Sequence, residues 1–82
     1  MSRKRLTIRY FAAFRDNAGC AEEQMIIDVD NAGQLFERLK ERLGTTEPIA
    51  HCKVAVNDEL ADWSTPLSDG DVVLLFPPVA GG

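Results

Sequence analysis

The residues of this 82-residue chain best suited to chemistry are its last six, Pro77-Pro78-Val79-Ala80-Gly81-Gly82, and the chemistry is that of a backbone carboxylate. Prolines lack the N–H that a neighbouring strand would need, and two together favour a stiff, extended polyproline-like run. At ~3.3 Å per residue the segment from Pro77 to Gly82 reaches about 20 Å from a folded body. Val79 and Ala80 are slim, and Gly81 and Gly82 carry no side chain, so the carboxylate of Gly82 can enter a narrow site and approach another protein's reacting atoms. A carboxylate is a poor electrophile. Conversion to an acyl-adenylate supplies a leaving group, and attack by a persulfide then leaves a thiocarboxylate on Gly82. One difficult step becomes two easier ones, with the terminus as the covalent way-station.

No other grouping competes with this one. His51 and Cys52 are adjacent, but neighbours on a strand point to opposite faces and no third ligand is near in sequence, so no metal site is expected. Cys20 falls in a polar stretch without a local base. The two cysteines have no CxxC spacing and read as reduced thiols. Asp58, Glu59, Asp62, Asp69 and Asp71 crowd around turn signals, which is the pattern of a solvated turn region rather than of an acid–base pair. With no catalytic constellation, the chain is not expected to be catalytic alone or to hold a cofactor itself.

The bulk numbers bound the rest. The chain is 45% hydrophobic and 27% charged, which suits one small globular domain. Thirteen acids against nine bases give a net charge of −4, which argues against nucleic acid as a partner and favours basic partner surfaces. No apolar run approaches the ~20 residues that span a bilayer. Arg3-Lys4-Arg5 does not lead into a signal peptide, because Arg9 and Arg15 interrupt the apolar residues after it. The expectation is a cytoplasmic protein without membrane association.

The elements that must present the tail can be read from periodicity. In RLTIRYFAAF, Leu6, Ile8 and Tyr10 alternate with Thr7, Arg9 and Phe11, which predicts a strand. RDNAGCAEE is polar, contains Asn17 and Gly19, and predicts a connecting loop. QMIIDV predicts a second strand with Met25, Ile27 and Val29 on one face. Asn31 is a good helix N-cap with Gln34 at capping-box spacing, and Leu35, Phe36, Leu39 and Leu43 form one apolar stripe ending at Gly44. Glu37–Lys40 and Arg38–Glu41 offset like-charge pairs on the exposed side. TTEPIAH predicts a loop, CKVAVN a strand with Val54 and Val56 on one face, and the turn-rich stretch after it is anchored by Leu60 and Leu67. Asp69-Gly70 marks a turn before DVVLLF, the last strand.

The order is β-β-α-β-(short β)-β, an α+β chain with a mixed sheet of four to five strands and one main helix on one face. That is the β-grasp, or ubiquitin-like, arrangement, with residues 1–76 as the domain and 77–82 as its extended tail. A single helix covers only one sheet face. Val72, Leu74 and Phe76 alternate with Val73 and Leu75, so the last strand is apolar on both faces. Either loops fold over this second face or it is a contact patch for another protein, and the grouping of Phe11 and Phe76 beside the tail favours the patch.

The stretches YFAAFRDNAG, VAVND, PLSDGDVV and FPPVAGG together resemble the small subunit of molybdopterin synthase, the MoaD family of sulfur carriers, over nearly the whole length. The resemblance implies a β-grasp fold in which Gly82 is adenylated and then thiocarboxylated. It implies two protein partners: a MoeB-like adenylating enzyme, which uses ATP, and the large, MoaE-like synthase subunit whose pocket receives the tail, in an assembly with two copies of each synthase subunit. It further implies transfer of the sulfur to cyclic pyranopterin monophosphate in molybdenum cofactor biosynthesis. Phe11, Arg15 and Phe76 match positions that the family uses at the subunit contact, and Pro77, Pro78, Val79 and Ala80 match its tail. Trp63 has no counterpart in the family pattern. The same tail chemistry also serves sulfur carriers for thiamin, thiolated tRNA or sulfur amino acids, and ubiquitin-type protein modifiers, and these stay open.

Overall fold

A computed structural model describes residues 3–78. Five strands and two α-helices occur in the order β1 (Lys4–Tyr10), α1 (Ala13–Ala18), β2 (Glu22–Ile27), α2 (Ala32–Leu43), β3 (Lys53–Val56), β4 (Glu59–Ala61) and β5 (Val72–Phe76), with a 3-10 turn at Ile49–His51. The strands form one sheet in the spatial order β2-β1-β5-β3-β4. β1 and β5 pair in parallel at its centre, and the other pairs are antiparallel. This mixed sheet, crossed on one face by α2, is the β-grasp arrangement.

Period-two alternation decides the core. Leu6, Ile8 and Tyr10 of β1, Val73 and Leu75 of β5 and Val54 of β3 are all buried on the helix side. They meet Ala32, Leu35, Phe36, Leu39 and Leu43 of α2. Each fully buried large side chain of this set contributes roughly 1.5–3 kcal/mol. Asn31 caps α2 as its spacing predicts: its Oδ1 accepts from the Gln34 N–H at 2.9 Å, while Gln34 Oε1 accepts from the Asp30 N–H at 2.8 Å. The reciprocal bond thus lands one residue before the cap. Gly44 ends the helix in the left-handed region at φ 62°.

Three expectations are corrected. The stretch predicted as a loop holds most of α1, which begins at Ala13 in the stretch predicted as a strand. It is six residues long, too short to show periodicity or to hold by propensity. Instead Phe14 is driven into the core, where its ring centroid lies 6.5 Å from that of Phe36, and Asn17 Nδ2 donates to the Leu43 carbonyl at 2.9 Å. Leu60 is not an anchor: it is 77% exposed, whereas Leu67 is buried. Arg38 does not pair with Glu41; its guanidinium donates to the Asp28 carbonyl. The Glu37–Lys40 pair is present at 3.5 Å. Trp63 closes one end of the core, its ring 5.2 Å from Phe36 and its Nε1 donating to the Cys52 carbonyl. Gly33 accommodates that lid, since its N–H donates to the Trp63 carbonyl at 2.8 Å and a Cβ there would sit 3.2 Å from the same oxygen.

Candidate functional site

β5 is the strand that leads to the tail, and its position determines what lies beside the exit. Because β5 is central, Val73 and Leu75 bury on the helix side while Val72, Leu74 and Phe76 emerge on the other. Register carries that open face across the sheet: Leu74 lies beside Arg9 of β1 and Ala55 of β3, Ala55 lies beside Leu60 of β4, and Phe76 lies beside Lys53. No helix covers these residues among the described part of the chain.

Phe11 joins the patch by a local device. β1 ends at Tyr10, so Phe11 is not placed by strand alternation. Ala12 takes φ 50° and ψ −125°, and the Phe14 N–H donates to the Phe11 carbonyl at 3.0 Å. This is a type II′-like turn with alanine where glycine is usual. It turns Phe11 onto the open face, 54% exposed, with its ring centroid 5.3 Å from that of Phe76. Between them, Leu60, Lys53, Ala12, Ala13 and the half-buried Pro77 and Pro78 line a groove of about 530 Å³. On the other flank of Phe11, Arg15 lines a smaller hollow of about 230 Å³ with Arg9, Glu22 and Leu74.

Phe11, Arg15, Phe76, Pro77 and Pro78 therefore share one surface. Val79, Ala80, Gly81 and Gly82 lie outside the described residues. The acidic cluster resolves into a turn scaffold. Asp71 accepts from Asn57 Nδ2 at 2.9 Å and from the Ser68 N–H at 2.8 Å, and Asp69 accepts from the Arg5 N–H at 2.7 Å. Asn57 and Asp58 both have positive φ, at 53° and 71°, as a two-residue hairpin between β3 and β4 requires. Asn57 also exchanges bonds with Val72, so this scaffold sets the start of β5.

Sequence reasoning missed one charged cluster, since it joins three distant elements. Glu23 of β2 accepts from the Tyr10 hydroxyl at 2.6 Å and forms a two-pronged pair with Arg42 of α2. The Arg42 hydrogen bond holds the Glu23 carboxyl below the usual carboxylate range, and burial with Glu23 beside it pushes the Tyr10 phenol above its ordinary value. Burial also raises the Cys52 thiol, which suits an inert core residue. Among the described residues no group of three His, Cys, Asp or Glu side chains could hold a metal, and no helix is long and apolar enough to cross a membrane.

A β-grasp domain with an apolar face open beside the exit of its last strand defines a ubiquitin-like protein. The chain belongs to the ThiS family, whose model matches residues 8–82. It is 32% identical to the molybdopterin synthase sulfur carrier subunit of Mycobacterium tuberculosis, over 95% of this chain and 98% of that one. Among solved structures, it is similar to a chain in the complex of subunits 1 and 2 of the molybdopterin-converting factor from Helicobacter pylori. That likeness is 37% identity over 95% of this chain and 99% of the other, at a TM-score of 0.61. It is also similar to SAMP1 of Haloferax volcanii, with 26% identity, coverage of 95% and 99%, and a TM-score of 0.74.

Proposed function

We propose that the chain is the sulfur carrier subunit of a molybdopterin synthase, with residues 1–76 as the docking body and 77–82 as the delivering tail. The observation that carries this reading is that β5 holds Phe76 on the open face and runs directly into Pro77-Pro78, so that docking surface and tail leave the fold on one strand. The family match extends to residue 82, and the Mycobacterium tuberculosis relative is itself a sulfur carrier subunit. In the proposed cycle a MoeB-like enzyme joins the Gly82 carboxylate to AMP from ATP, releasing pyrophosphate. A persulfide displaces the AMP, and cleavage of the new S–S bond by a thiol leaves –COSH on Gly82. Within the synthase, Phe11, Arg15 and Phe76 meet the large subunit; the similar Helicobacter pylori chain comes from a complex of subunits 1 and 2, which supports a partner subunit. The slim tail then brings the thiocarboxylate to a pyranopterin acceptor.

Incubation with a MoeB-like enzyme, ATP and a sulfur donor should raise the mass by the difference between one sulfur and one oxygen atom. A protein carrying one extra residue after Gly82 should stay folded and gain nothing. Active partners with no mass gain, or an unimpaired extended protein, would overturn the reading. The likeness to SAMP1, a small archaeal modifier protein, favours a second reading in which Gly82 is conjugated to lysines. Isopeptide-linked species in cells, without any thiocarboxylate, would select it.

A further inference from the structure

Net charge points to a basic partner; the distribution of that charge points the other way. Strand alternation and register place Arg5, Arg9 and Lys53 on the open face with the acid Glu22, and a second acid, Asp69, lines a hollow with Arg5 and Ile26 at its edge. Arg15 lies beside Arg9 and Glu22 against the flank of Phe11. Cations thus outnumber acids on this face of a chain whose net charge is −4. Arg9 and Glu22 are paired at 3.4 Å, whereas the side chains of Arg15 and Lys53 have no ion pair or hydrogen bond among the described residues. Each lines one of the two hollows that Phe11 borders, Lys53 the groove that also holds Phe76 and the prolines.

Resting on the sulfur-carrier reading, we propose that the open face is electrostatically polarised for a protein surface with an apolar centre and an acidic rim, and that Lys53 and Arg15 select and orient that partner. Opposite charge at a rim raises association rate and rejects wrong partners more than it adds affinity. A second copy of this chain would oppose like charges across the face. A membrane is a poorer match, since an apolar groove receives protruding side chains and the acidic remainder of the chain is repelled by anionic lipid.

The test is stopped-flow association with the large synthase subunit from the same cell, from about 0.01 to about 1 M salt, where the screening length falls from ~30 to ~3 Å. The wild-type rate should fall at least ~10-fold over this range. Lys53→Glu and Arg15→Glu should each slow low-salt association ~3- to 10-fold with a smaller change in dissociation, while Lys40→Glu on α2 leaves it unchanged. A rate that is flat or rises with salt, or an equal effect of Lys40→Glu, overturns the polarity and leaves the carrier reading standing. Failure to associate at any salt counts against the synthase reading instead. A second arm then decides the polarity: a synthetic peptide alternating Glu and Leu, titrated into the ¹⁵N-labelled chain, should shift the amides of Phe11, Lys53 and Phe76. Absent shifts, shifts confined to α2, or displacement of the peptide by phosphatidylserine vesicles would overturn it.

Discussion

The ring of Phe11 lies 5.3 Å from that of Phe76, tilted by 59°, on the solvent side of the sheet. Three residues along, Phe14 points the opposite way and meets Phe36 inside the core. Two aromatic pairs, separated by one turn at Ala12, thus serve two ends. One holds the fold together, and the other forms the proposed docking surface at the root of the tail.

This division predicts a separation of effects. Phe11→Ala should cost about 0.5–1.5 kcal/mol of stability, the value of an aromatic pair at a surface. Phe36→Ala should cost about 3–5 kcal/mol, because it opens a cavity in a core whose neighbours cannot collapse into it. Phe76→Asp should weaken binding to the large subunit by at least ~30-fold, about 2 kcal/mol, while lowering folding stability less. Urea unfolding and calorimetric titration measure both quantities. Equal losses for Phe76→Asp would place that ring in the structural core.

The Glu23 cluster predicts how acid acts on the fold. Its pairing with Arg42 depresses the carboxyl in the folded state, so the stability it contributes is complete above the ordinary glutamate range near ~4.3 and is lost as the pH falls through the lower folded value. Glu23→Gln should therefore cost about 1 kcal/mol at neutral pH and flatten the acid limb of the stability curve below about pH 5. Parallel wild-type and mutant curves down to pH ~3 would show that the pairing does not contribute. The Tyr10 phenol is shifted upward, so its contribution is complete below its ordinary value near ~10 and fades only above it.

Ala12 predicts a gain. Its φ of 50° with ψ −125° is strained for any residue with a Cβ, a cost on the order of 1–3 kcal/mol. Glycine relieves the strain and returns part of the gain as unfolded-state entropy. Ala12→Gly should raise the thermal midpoint by an amount matching about 1 kcal/mol and loosen the orientation of Phe11, read as broadened aromatic NMR signals. A lower midpoint would show that the turn is unstrained.

Much of the fold was legible in the chain because it is periodic or local. Leu6, Ile8 and Tyr10, the α2 stripe, the Asn31 and Gly44 caps and the Asp69-Gly70 turn all announce themselves within a few residues, where backbone sterics and capping geometry act. The apolar character of both faces of β5 was likewise evident from five consecutive residues. Leu60 misled for a physical reason: hydrophobicity alone does not say which side of a three-residue edge strand it occupies, and register with Ala55 places it on the open face.

By itself the order of residues determined most of the strand and helix pattern, which depends on interactions along the chain, and from that element order the β-grasp reading and the candidate tail followed. Only the tertiary structure decided that Phe11 meets Phe76, that Lys53 and Arg15 flank them, that Phe14 and Asn17 fold a polar stretch into a helix, and that Glu23 joins Tyr10 and Arg42. Those relationships arise between elements far apart in sequence, where burial and register, rather than local preference, choose the neighbour.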